Sequence, residues 1–123
     1  MTNKELYTLF KSVWDIKNIF LFDSRYTDIS KDDLDKELKE VQADPHGYAD
    51  CDKFALQLYA LVKDRHPQWP FGRVMGLIGQ HSGPHAVNIC VCDNKVYLIE
   101  PKRDPEYVWK ADPNKDKIKF IEV

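Results

Sequence analysis

One stretch of the sequence limits the possible folds more than any other. Ala86 to Cys92 and Val96 to Ile99 alternate about Asp93-Asn94, the pattern of two strands joined by a tight hairpin turn. With a two-residue turn Cys92 faces Lys95 and Val87 faces Glu100. His85, Val87, Ile89 and Val91 then share one face with Val96, Leu98 and Glu100, because side chains alternate with period two. His85 and Glu100 become diagonal neighbours, roughly 7–8 Å apart at the backbone and within side-chain reach. A three-residue turn would send Glu100 to the other face. The two-residue register puts five aliphatic residues on the core side and is preferred for that reason.

The rest of the chain divides around this hairpin. Apolar residues from Asn3 to Leu21 (Leu6, Leu9, Phe10, Val13, Trp14, Ile16 and Phe20) fall at helical spacing and predict one amphipathic helix. Ser30 followed by Asp33 predicts a capped helix start, with Leu34, Leu38 and Val41 on one face. Gln42 to Asp50, with Pro45 and Gly47, reads as a loop. Cys51, Phe54, Ala55, Leu58, Leu61 and Val62 predict a second strong helix from Cys51 to Arg65, capped by Asp50 and stopped at His66-Pro67. Arg73 to Ile78 reads as a strand, Gly79 to Pro84 as a loop, Pro101 to Lys117 as a proline- and charge-rich connection, and Ile118 to Val123 as a last strand. Helices first and an antiparallel sheet second indicate an α+β fold. A length of 123 residues suits one domain, expected to span residues 1–123.

Charge removes several functions. Eighteen Lys and Arg stand against 20 Asp and Glu, a net charge of −2, so the basic footprint of a nucleic-acid binder is absent. The longest apolar run, Ile19 to Phe22, is far short of a membrane span, and Lys4, Glu5, Lys11 and Asp15 interrupt any signal-peptide core. The expectation is a cytoplasmic protein with no nucleic-acid or membrane partner. Three cysteines cannot close a disulfide framework. Cys90 and Cys92 point to one face of their strand, and with Cys51 they make a poor zinc set, so no metal is expected.

Cys51, His85 and Glu100 form the set that can carry chemistry. A cysteine nucleophile needs a base to take its proton and a group to orient that base. The first turn of a helix favours a thiolate at Cys51, whereas the flanking Asp50 and Asp52 oppose it. Each residue also has an ordinary reading: a packed thiol on an apolar helix face, a structural histidine, a solvated carboxylate. Helix-start cysteine, strand histidine and strand carboxylate together point to catalysis.

Ala49-Asp-Cys-Asp-Lys-Phe-Ala55 resembles the nucleophile helix of papain-like and transglutaminase-like cysteine enzymes. His85-Ala-Val-Asn-Ile and Val96-Tyr-Leu-Ile-Glu-Pro101 resemble the histidine and carboxylate strands of the same group. Within it the likeness is to the protease-like C-terminal domain of the fungal mushroom agglutinin and its small bacterial and phage relatives, over about Tyr48 to Val123. The resemblance implies a papain-like core, Cys51 as nucleophile, His85 as general base and acid, and Glu100 as orienter. It implies a peptidase or amidase acting on a peptide or protein through a thioester. A transglutaminase-type acyltransferase would use the same residues, and a catalytically silent binding domain would keep the fold.

For the oxyanion, papain-like enzymes use a glutamine shortly before the cysteine. Gln42 and Gln80 are the candidates here, beside the backbone N–H of Cys51. The residues require no cofactor; the resemblance alone implies calcium, and no oxygen-ligand loop of familiar spacing accompanies it. Asp23, Asp28, Asp104, Asp112 and Asp116 read as solvated loop carboxylates. His81 reads as a rim residue, His46 and His66 as exposed turn residues, Trp69 as packing, and Lys102-Arg103 as a small basic edge.

Overall fold

The computed structural model describes residues 1–45, 50–79, 83–102 and 107–123. Among these residues three helices, α1 (Asn3–Val13), α2 (Lys31–Glu40) and α3 (Cys51–Arg65), accompany six strands: β1 (Ile19–Phe20), β2 (Phe71–Leu77), β3 (His85–Cys92), β4 (Lys95–Glu100), β5 (Tyr107–Lys110) and β6 (Lys117–Glu122). The strands form one sheet in the order β1-β6-β2-β3-β4-β5. The fold is α+β.

The sheet is apolar on both faces, and helices cover each of them. On one side Leu6, Phe10 and Trp14 pack with Val74, Val87, Ile89, Val91, Leu98 and Ile121. On the other, Leu34 and Leu38 of α2 and Leu58 and Val62 of α3 pack with Phe71, Cys90, Cys92 and Ile99. All eight residues of β3 are therefore buried, as expected of a central strand with both faces covered.

The hairpin has the expected register: Cys92 opposes Lys95, Val91 opposes Val96 and Ile89 opposes Leu98. Asp93 and Asn94 both take positive φ, 53° and 58°, the backbone of a two-residue primed turn that asparagine and aspartate tolerate. The turn also docks α2, since the Lys31 N–H donates to Asp93 Oδ2 at 3.1 Å. The caps follow the sequence as well. Ser30 and Asp33 close a reciprocal capping box on α2, and Asp50 Oδ1 accepts from the Lys53 N–H at 3.2 Å.

Three expectations need correction. The helix expected over Asn3 to Leu21 stops at Val13. Apolar spacing continues beyond it because Ile16, Ile19 and Leu21 still pack on the core, but Ile19 and Phe20 do so as a strand. That strand pairs parallel to β6, so the sheet is mixed rather than wholly antiparallel. The stretch Pro101 to Lys117, read as a connection, contains β5, which pairs Tyr107 with Glu100 and Trp109 with Leu98.

Candidate active site

His85 opens β3 and Glu100 ends β4, so the antiparallel hairpin carries both to its open end. Period two places them on the α1 face, in phase with Val87 and Leu98. Both are buried, 7% and 8% exposed, and His85 Nε2 lies 2.6 Å from Glu100 Oε2. The other carboxylate oxygen, Oε1, accepts the Lys102 N–H at 3.2 Å. A carboxylate held at both oxygens is a fixed acceptor, and it sets Nε2 as the protonated ring nitrogen. Opposite His85 stands Gly76. A Cβ there would lie 2.2 Å from the Lys117 carbonyl oxygen, so the close β2–β6 approach beside the histidine requires glycine.

Cys51 is the first residue of α3. The helix runs along β3 with its first turn toward His85: Asn88 Nδ2 donates to the Ala55 carbonyl at 2.8 Å, while Leu58 and Val62 lie with Cys90 and Cys92. One turn before Ala55, Cys51 thus sits toward the open end of the hairpin. A second link comes from Lys102, whose Nζ lies 5.5 Å from the centroid of the Phe54 ring. The fold therefore joins His85 and Glu100 directly and brings Cys51 to the same end of the sheet, on the helix that packs against the opposite face.

The electrostatic setting of the thiol is more balanced than the flanking aspartates alone suggest. Asp52 Oδ1 accepts from Arg73 Nη1 at 3.1 Å, and Arg73 also pairs with Glu122. Asp50 directs its carboxylate to the Lys53 N–H, which leaves the Cys51 N–H among the helix-start donors without an intrahelical acceptor. Gln42, the upstream oxyanion candidate, lies exposed in the segment after α2. Gln80, His46, His81, Arg103 and Asp104 lie outside the described residues. Cys90 and Cys92 are fully buried, with their sulfurs 3.8 Å apart. Burial is the main force raising the Cys90 thiol pKa well above its ordinary value.

A cleft of about 910 Å³ opens beside the His85–Glu100 pair, walled by Ile78, Tyr107 and Trp109 and edged by Lys102, Lys110 and Lys115. Its floor corrects another expectation. Asp116 is not solvated but 1% exposed. Its carboxylate accepts from the Gly79 N–H at 3.1 Å, from Trp109 Nε1 at 3.2 Å and from the Asp112 N–H at 2.9 Å. Sequence reasoning missed Tyr107, Trp109, Lys110, Lys115 and the role of Asp116. The alternation of Tyr107 and Trp109 was the available signal, masked by the prolines on either side. His66, expected to be exposed, is instead stacked on Trp69 with ring centroids 3.9 Å apart and paired with the buried Glu37.

Among the described residues, no group of three or more His, Cys, Asp or Glu could hold a metal ion. None of the helices among them is long and apolar enough to cross a membrane.

A solved structure of a PSL1a–E64 complex resembles this chain with a TM-score of 0.76 at 20% sequence identity. The likeness is one of fold. It covers 100% of this chain and 51% of that one, so the present chain spans about half of its neighbour's length. No family model and no curated protein matches the sequence.

Proposed function

We propose that this chain is a papain-like cysteine hydrolase, a peptidase or amidase, with Cys51 as nucleophile, His85 as base and acid, and Glu100 as orienter. The observation that carries the reading is the buried 2.6 Å bond from His85 Nε2 to Glu100 Oε2, at the end of the sheet toward which α3 presents Cys51. The E64 bound by the structural neighbour is an inhibitor of cysteine proteases, which fits the same chemistry.

With Nε2–H held by Glu100, Nδ1 is the ring nitrogen that exchanges a proton with the thiol. The Cys51 thiolate attacks an amide carbonyl carbon, and the oxygen of the tetrahedral intermediate is stabilised by the Cys51 N–H, with Gln42 or Gln80 as the second donor. The imidazolium gives its Nδ1 proton to the departing amine as the C–N bond breaks, leaving a thioester. Water then attacks the thioester, His85 takes its proton, and the carboxylic acid and thiol are released. If an amine replaces the water, the same residues perform acyl transfer.

The test is alkylation of Cys51 by iodoacetamide from about pH 4 to about pH 9, read by peptide mass spectrometry in wild type and His85→Ala. Cys90 and Cys92 are sealed in the core, so the Cys51 peptide is read alone. Reactivity that persists into acid in wild type and is lost in the variant supports a thiolate–imidazolium pair. A rate that rises only near the free-thiol pKa of about 8.5 in both proteins sinks it. The second reading is a binding module without thiol chemistry. It is favoured by one observation: the cleft lies on the sheet face opposite α3.

A further inference from the structure

We propose that Asn88 is a positioning residue for the reaction: it ties the helix that carries Cys51 to the strand that carries His85, and so sets the distance between thiol and imidazole. This rests on the hydrolase reading and deepens it.

Asn88 is out of character with its surroundings. It is fully buried on the α3 face of β3, in phase with Cys90 and Cys92 and across the register from Ile99. The layer around it is built from Leu58, Val62 and Phe71. Its Nδ2 donates to the Ala55 carbonyl at 2.8 Å and to the Gly72 carbonyl at 3.1 Å. Two carbonyl acceptors fix which end of the amide is the nitrogen. The other end, Oδ1, is buried with no hydrogen-bond partner among the described residues. A buried acceptor left unpaired costs stability, and an apolar side chain at this point would avoid that cost. Packing alone therefore does not call for asparagine. The two N–H bonds are what an apolar residue could not supply.

Those bonds join three stiff pieces of the molecule. Ala55 lies one turn after Cys51 on α3, about 6 Å along the helix axis. His85 lies three residues before Asn88 on β3, about 10 Å along the strand. Helix and strand bend little over so short a span, so the Asn88–Ala55 bond completes a rigid path from thiol to imidazole. Gly72 anchors the same amide to β2, and β2 is pressed against β6 there: a Cβ on Gly72 would collide with the Glu122 carbonyl oxygen.

A second tether acts beside the first. Arg73 stands directly opposite Asn88 in the β2–β3 register and holds Asp52 of α3 at 3.1 Å. Together they grip the first and second turns of α3, so the helix can neither slide along β3 nor roll over it. The Arg73 tether is shared with Glu122 and half-open to water. The Asn88 tether is sealed in the core, where a hydrogen bond is stronger. Its effect on chemistry follows from distance. An imidazolium favours a thiolate only at close range, and a misplacement of about 1 Å can lower a rate on the order of 10²-fold.

The experiment compares Asn88→Val with Asn88→Thr in the full chain. Both replacements are β-branched and suit a strand; only threonine keeps a hydroxyl that can donate to one of the two carbonyls. Alkylation of Cys51 by iodoacetamide is read by peptide mass spectrometry, with circular dichroism and urea unfolding on the same samples. In Asn88→Val the rate at about pH 5.5 is expected to fall about 10-fold while the rate at about pH 9 is unchanged, because there the thiol ionises without help. In Asn88→Thr, with one bond kept, the acid rate is expected to fall about 3-fold. A change of pH profile in a folded variant is what a merely structural residue would not produce. An Asn88→Val profile that matches wild type overturns the positioning role and leaves the hydrolase standing. Equal losses in the two variants assign the effect to packing and also overturn it. If Asn88→Val does not fold, Asn88→Thr is read against wild type alone: an acid rate lowered by about 3-fold supports the role, and an unchanged profile overturns it. Wild type without reactivity in acid overturns the hydrolase reading and the positioning role together.

Discussion

Two of the described histidines pair with buried glutamates, and their surroundings differ in every other respect. His66 pairs with Glu37 at the end of α3, where Arg65 Nε also lies 2.5 Å from Glu37 Oε1. Its ring is stacked on Trp69, and Arg65 continues to Glu40 at 2.7 Å. His85 pairs with Glu100 at a strand end, where the second carboxylate oxygen takes the Lys102 N–H, beside a cleft and toward the first turn of α3. The comparison teaches that a histidine–carboxylate bond is not by itself a site. At Glu37 the carboxylate is shared between a guanidinium and an imidazole, and the imidazole is clamped flat, which suits a brace between α2 and α3. At Glu100 it bonds a buried imidazole that lines the cleft.

The comparison can be broken most sharply at His85. His85→Ala is expected to lower the alkylation rate of Cys51 at pH 5.5 by on the order of 10²-fold, since an unassisted thiol with a pKa of about 8.5 is only about one part in a thousand ionised there. His66→Ala, measured in the same assay, is expected to leave that rate unchanged. Next in size is the brace. Glu37→Gln removes the charge that Arg65 and His66 share, and a loss of about 2–3 kcal/mol in urea unfolding is expected with Cys51 reactivity intact. If the loss is matched by slower alkylation, the two pairs are coupled and the contrast fails.

Glu100→Gln sharpens the other side. A neutral amide still fills the space but no longer favours the imidazolium, and a drop of about 10-fold in acid alkylation is expected with a small change in stability. The smallest effect lies outside both pairs. Ser30→Ala removes the hydroxyl half of the α2 capping box, with an expected loss of about 1 kcal/mol by thermal unfolding. Asp33 gives the same cap a pH signature. The Ser30 N–H, and after it the hydroxyl, holds its carboxyl below the ordinary aspartate value. Its stabilising contribution is therefore complete above that ordinary value and is lost as pH falls through the lowered one.

Much of this was legible in the sequence because local rules were strong there. Ser30 and Asp50 are capping residues followed by periodic apolar positions, and the starts of α2 and α3 follow from them. Asp93-Asn94 tolerates the left-handed backbone that a two-residue turn needs, so the register that aligns His85 with Glu100 could be derived before any coordinates. What was hidden depended on distant partners. Ile19 and Phe20 continue a helical spacing but are captured by β6, about a hundred residues away along the chain. Tyr107 to Lys110 becomes a strand because β4 presents an open edge, a fact no local pattern carries. Asp116 looks like any loop carboxylate until Gly79, Trp109 and Asp112 bring their N–H groups to it. Which sheet face α3 covers was likewise beyond the sequence, since period two fixes relative phase and not which helix lies above.

The position of β6 has a consequence for how the molecule assembles. Although it comes last in sequence order among the strands, β6 lies inside the sheet, between β1 and β2. Residues 117–122 must therefore insert between segments formed near the beginning and the middle of the chain. Trp14 ties this closure to the cleft, donating its Nε1–H to the Asp116 carbonyl at 2.7 Å across 102 positions. Closing such long loops is entropically slow. Until it happens, the edge of β2 beside Gly76 and His85 stays unpaired and the cleft floor is unformed.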